Sequence, residues 1–76
     1  VALTQAEFAI MKLFMTHPDS AVSREDVLRE VWGADYYGDV KIVDVNIRRL
    51  RMKIEEDTAD PQYITTVRGV GYKWGR

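Results

Sequence analysis

Apolar residues recur at helical spacing in three stretches of this chain, and β-branched and aromatic residues gather in a fourth. From Gln5 to about Thr16, Ala6, Ile10, Leu13 and Phe14 form one apolar stripe, and Phe8, Met11 and Met15 form a second on nearly the opposite side. Thr4, with Glu7 three residues on, is a capping box that starts this helix, and His17-Pro18 stops it. A helix that is apolar on two sides calls for cover on both. Later helices supply one cover, but nothing else in the chain offers one for Phe8 and Met15. The pattern therefore predicts further strands ahead of Val1-Ala2-Leu3, which itself reads as the end of a strand.

Pro18-Asp19-Ser20 is turn chemistry, and Ala21-Val22 has room only for a short bridging strand. Ser23 caps a second helix, Arg24 to Trp32, whose Val27, Leu28 and Val31 share a side and which ends at Gly33. The loop from Ala34 to Asp39 is too long for the turn of a tight helix-turn-helix. Asp39 can cap a third helix running from Val40 to about Ile54. There Val43, Ile47, Leu50 and Ile54 stack on one face, with Val40 beside them. The acidic run Glu55-Glu56-Asp57 lies where the helix dipole disfavours anions, which predicts fraying at that end. Beyond Asp60-Pro61, Tyr63 to Val67 and Tyr72 to Trp74 read as a hairpin that turns through Arg68-Gly69-Val70-Gly71.

At 76 residues this is one small domain, and without cysteine its core has neither disulfide nor thiolate-zinc support. No apolar run approaches the roughly 20 residues of a membrane span, and VALTQ carries no signal-peptide pattern; the expectation is a soluble, cytoplasmic domain without a membrane partner. The net charge of −1 would ordinarily argue against a nucleic-acid partner. Its distribution reverses that argument. Residues 1–39 hold three basic and seven acidic side chains, whereas residues 40–76 hold eight basic and five acidic.

The third helix concentrates this asymmetry, with Lys41, Arg48, Arg49, Arg51 and Lys53 against the single acid Asp44. Opposite its apolar stripe lie Val45 and Arg49, close to Ile42 and Met52; Lys41 and Arg48 flank them on one side, Asn46 and Lys53 on the other. Cations, an amide and small apolar groups suit a major groove, where arginine forks onto guanine, asparagine onto adenine and apolar groups meet the thymine methyl. A solvated amphipathic helix explains the same pattern without any ligand.

Three helices followed by a two-stranded hairpin make a winged helix-turn-helix, of class α+β. Specific words accompany the order: SREDVLREVWG from Ser23 to Gly33, IRRLR from Ile47 to Arg51, and TTVRGVGY from Thr65 to Tyr72. Together they resemble the DNA-binding effector domain of OmpR/PhoB-type response regulators, over Leu3 to Trp74. FMTHP is similar to PhoB members, and WGADYYGDVKIVDV to the WalR and VicR members. The resemblance implies a four-stranded sheet ahead of the first helix, largely absent from residues 1–76. It also implies an absent receiver domain, phosphorylated by a sensor histidine kinase, whose dimerisation sets two effector domains on direct-repeat sites in double-stranded DNA. The resemblance places the third helix in the major groove and the wing in the minor groove. By the same resemblance, the loop Ala34, Asp35, Tyr36, Tyr37 and Gly38 faces RNA polymerase.

Carried over by position, Arg49 makes the main base contact with Val45 and Asn46 beside it, and Arg68 is the wing arginine. Lys41, Arg48 and Arg51 match phosphate contacts, and so do Trp32, Thr66 and Tyr72. Lys41-Ile42 departs from a common Arg-Thr pair, losing a hydroxyl contact, and Met52 stands where a cation is frequent.

Other chemistry has weaker support. Gly69-Val70-Gly71 lacks the third glycine and the following helix of a dinucleotide loop. His17 has no partner ligand, so neither a metal site nor catalysis is expected. Asp35 with Asp39, and Asp57 with Asp60, are accounted for by loop solvation; Trp32 and one of Tyr36 and Tyr37 are also candidates for the core. The expectation is no enzyme and no cofactor. The alternative to DNA binding is a winged helix used for contact with an acidic protein.

Overall fold

The computed structural model describes residues 2–75. Three helices, α1 (Gln5–Thr16), α2 (Arg24–Trp32) and α3 (Lys41–Ile54), pack beside a three-stranded antiparallel sheet of β1 (Val22–Ser23), β2 (Ile64–Val67) and β3 (Gly71–Trp74). The sheet order is β1-β3-β2, so the last strand lies between the hairpin partner that precedes it and the short strand ahead of α2. Val22 pairs with Tyr72, and Ile64 with Trp74.

The caps form where the sequence puts them. Thr4 and Glu7 make both bonds of the capping box, and the Ser23 hydroxyl accepts from the Asp26 N–H. Ser23 is also the second residue of β1, one position later than expected, so strand and helix share that residue. Asp39 serves α3 from just outside it. Its carboxylate accepts from the Lys41 N–H at 2.9 Å, while Val40, the residue bordering the helix, offers no side-chain cap.

Ile10 and Phe14 of α1, Val27 of α2, and Val43, Ile47 and Leu50 of α3 meet Val22, Ile64 and Tyr72 of the sheet in one core. The second stripe of α1 divides. Met11 packs against the core, but Phe8 and Met15 remain 62% and 53% exposed. Ala2 and Leu3 form no strand, although Leu3 packs against the core; Val1 lies outside the described residues.

The two wing glycines have different tasks. Gly69, with φ of 77°, lets the tip reverse over three residues. Gly71 belongs to β3, and a Cβ there would lie 2.1 Å from the Val22 carbonyl oxygen, so it permits β1 to approach rather than the chain to turn.

The end of α3 departs most from the sequence reading. Instead of fraying, Glu55 is buried, and its carboxylate accepts from three successive main-chain N–H groups, those of Gln62, Tyr63 and Ile64. A tertiary partner has overridden the unfavourable dipole. A second tie joins α1 to α3: Lys53 donates to the buried Glu7 at 2.5 Å and to the Ala2 carbonyl.

Burial pushes the Glu55 pKa up, but the three N–H bonds and the Arg51 charge outweigh it and hold the carboxyl below the ordinary glutamate value. The Lys53 bond and the Thr4 N–H hold Glu7 low in the same way. Both pKa values lie lower in the folded than in the unfolded chain. The stability they contribute is therefore complete above the ordinary glutamate range and is lost as pH falls through the depressed folded values. Thermal melting from pH 7 to 3 should show the midpoint falling below about pH 4.5. Glu55→Gln should cost about 2–3 kcal/mol at pH 7 and flatten that decline; an unchanged decline in the variant would refute the role given to Glu55.

Candidate nucleic-acid interface

The outward side of α3 carries Lys41, Val45, Arg48 and Arg49, all exposed, and Met52 continues it toward the helix end. Ile42 is partly buried against the core. Two residues expected on this side are not available there. Asn46 is only 7% exposed and donates its amide to the Ile42 carbonyl at 2.8 Å, and Lys53 is turned to Glu7. Both lie on the flank nearer the core stripe, where the sides of a helix enter its packing surface.

The wing adjoins this face through Arg51. Its Nε and Nη2 donate to the Ile64 carbonyl at 3.1 and 2.9 Å, Nη2 also donates to the Thr66 hydroxyl at 2.8 Å, and its guanidinium lies 5.6 Å from the Tyr72 ring centroid. Arg51 and Thr66, both candidates for phosphate contact, are thus bonded to each other. Tyr72 is buried and donates its hydroxyl to Asp44 at 2.5 Å. Burial first, then that bond and the Asp44 charge, pushes its pKa up to about 12. Asp44 also receives both arms of Arg24, Nε at 3.1 Å and Nη2 at 2.6 Å.

The remaining candidates are dispersed. Arg68 is exposed at the wing tip, on the rim of a cleft of about 260 Å³ shared with Arg24, Thr66 and Tyr72. Trp32 is half-buried against the core, with its ring centroid 6.4 Å from that of Tyr36. Ala34, Asp35 and Gly38 are exposed beyond the end of α2, and Tyr37 is 94% exposed, so of the two tyrosines Tyr36 is the one drawn inward.

The cations therefore fall into two groups. Arg24, Arg29, Arg51 and Lys53 bind groups within the fold, whereas among the described residues Lys12, Lys41, Arg48, Arg49, Arg68 and Lys73 have no ion pair, and four of these lie on the outward side of α3 and at the wing tip. Sequence reasoning overlooked the roles of Asp44, whose partners lie 20 and 28 positions away, and of Glu55, whose partners lie up to nine away. Only an acid set among cations hinted at Asp44. No group of histidine, cysteine and acidic residues suited to a metal occurs among the described residues, and no helix there is long and apolar enough to cross a membrane.

Residues 1–74 match the family described as transcriptional regulatory protein, C terminal. A probable transcriptional regulatory protein of Picosynechococcus is 48% identical over 75 residues, covering 99% of this chain and 30% of that protein. The chain thus spans less than a third of the length of that curated relative. The response regulator DrrB of Thermotoga maritima, an OmpR/PhoB homologue, superposes with a TM-score of 0.89 at 33% identity, over 99% of this chain and 34% of that one. The DNA-binding domain of Klebsiella pneumoniae RstA, solved in complex with the RstA box, gives 0.86 at 36% identity over 99% and 74%.

The Asp44–Tyr72 bond sets a spectroscopic expectation. In an ultraviolet pH titration one of the four tyrosines should ionise near pH 12, above the ordinary phenol, and Tyr72→Phe should remove that late step. A late step that survives in the variant would assign the shift to another tyrosine.

Proposed function

The chain belongs to the C-terminal domains of transcriptional regulatory proteins, of OmpR/PhoB type, and on that footing we propose that it binds double-stranded DNA sequence-specifically to control transcription. The observation that carries this reading is the division of the cations. Arg51 holds helix to wing through its Nε and Nη2, while among the described residues Lys41, Arg48, Arg49 and Arg68 have no ion pair on the surface so formed. The complex of the RstA domain with its box supports the same reading, since that fold at that similarity engages DNA.

In the proposed complex α3 enters the major groove. Arg49 forks onto a guanine edge and Val45 meets a thymine methyl. Asn46 joins them only by giving up its bond to Ile42. Lys41, Arg48, Arg51, Thr66 and Trp32 hold the backbone, Tyr72 joins them only by giving up its bond to Asp44, and Arg68 reaches the minor groove. Within the whole protein, a receiver domain phosphorylated by a sensor kinase pairs two such domains on direct repeats, and the Ala34–Gly38 loop faces RNA polymerase.

Selection from a random duplex pool supplies the specific site, and titration at several salt concentrations tests the reading: log affinity should fall by about 0.9 per neutralised phosphate for each unit of log salt. A protein-contact module would show little duplex affinity at any salt. Arg49→Ala should cost about 1–3 kcal/mol on the selected site and far less on a scrambled duplex. Equal losses on both would make Arg49 a backbone contact. Arg68→Ala should weaken binding most where A·T-rich sequence flanks the site, because a narrow minor groove concentrates negative potential. If the loss is the same with G·C-rich flanks, the minor-groove placement is wrong.

A further inference from the structure

Asp44 is the one acid of α3 and sits in its first turn, on a helix whose exposed groups are otherwise cationic or apolar. A carboxylate there repels phosphate, so its presence in a DNA-binding surface calls for a physical reason. Its bonds provide one. The same carboxylate receives the forked guanidinium of Arg24 from the start of α2 and the hydroxyl of Tyr72 from β3. Arg24 lines the cleft beside the wing with Thr66 and Arg68, and its side chain is partly exposed, so without Asp44 it would be a free cation on the rim of the DNA-facing surface.

Resting on the DNA-binding reading, we propose that Asp44 is a specificity-determining positioning residue, which withholds Arg24 from DNA phosphates and so keeps non-specific binding weak. The two kinds of complex accommodate an extra cation differently. Non-specific binding is essentially electrostatic and tolerates sliding, so the protein shifts along the backbone until a freed arginine meets a phosphate. A specific complex is held in register by base contacts and has no such freedom. Freeing Arg24 therefore strengthens binding to arbitrary sequence more than to the selected site. Because a genome presents a large excess of non-specific sites, that difference decides occupancy.

The test compares the duplex selected by the unmodified chain with a scrambled duplex of the same composition, each titrated over a range of salt. Asp44→Asn keeps an oxygen acceptor for Tyr72 but removes the charge that holds Arg24. Affinity for the scrambled duplex should rise several-fold, its log–log salt slope should steepen by about 0.9, and the ratio of selected to scrambled affinity should fall. Arg24→Gln with Asp44→Asn should return the slope to its starting value. A folded Asp44→Asn with unchanged slope and ratio overturns the inference, and so does a gain that persists in the double variant. A merely structural role would instead lower the melting temperature and both affinities together.

Should Asp44→Asn fail to fold, the unmodified protein decides. The Arg24 Nε–H resonance should keep its chemical shift when scrambled duplex is added, and a shift that moves with DNA overturns the inference. The two readings fail differently. An unmodified chain without salt-dependent duplex affinity defeats the DNA reading itself, whereas normal binding with an unresponsive Asp44→Asn defeats only the role of Asp44.

Discussion

One peptide unit carries the relation between the long basic helix and the wing. The Ile64 N–H is held by Glu55, the residue just past the end of α3, and the Ile64 carbonyl by Arg51 in its last turn. These groups lie on the side of β2 away from β3, so the bonds satisfy an edge that would otherwise be open to water or to another strand. Each bond has a charged partner, which makes it stronger than an ordinary amide contact. In a domain of 76 residues the core alone gives limited rigidity, and this clamp fixes the wing where packing area is scarce.

The clamp extends into a chain of polar contacts. Arg51 continues to Thr66 and lies over the ring of Tyr72; Tyr72 bonds Asp44, and Asp44 holds Arg24. The chain links the start of α2, the length of α3 and both wing strands, while Glu7 and Lys53 tie α1 to the far end of α3. No side-chain polar atom among the described residues is buried without a hydrogen bond, so these polar interiors are fully matched. Among the described residues, the cations left over include Lys41, Arg48 and Arg49 on the surface of α3 and Arg68 at the wing tip. A total charge of −1 thus coexists with a surface suited to phosphates, because seven of the twelve acids lie in residues 1–39 and Asp44 and Glu55, in and just past α3, are already bonded.

Local rules made much of the fold legible in advance. The capping box at Thr4, the Ser23 cap, the spacing of Val43, Ile47 and Leu50, and the β-branched run before the wing each act within a few residues, so the helices and the hairpin could be located from neighbours alone. The uneven exposure of the two stripes of α1 was legible in the same way, down to the uncovered Phe8 and Met15. The misreadings concern side chains whose surroundings come from elsewhere. The helix wheel set Asn46 and Lys53 beside the exposed face, but a wheel does not say how far the neighbouring packing extends round the helix, and both are held inward.

The sequence by itself thus determined where the helices and wing strands form, which faces carry charge, and the family to which the chain belongs. Those properties depend on spacing along the chain. The tertiary structure alone decided which charges are spent and which are free. Arg24 and Arg48 look alike in sequence, yet one is paired across 20 positions and the other stands in solvent. Glu55 looks like a helix-end defect, yet it holds the wing because the chain returns three N–H groups to its carboxylate. An ion pair or a charged hydrogen bond depends on distances of about 3 Å in space, and no local pattern encodes which remote residue will occupy that distance.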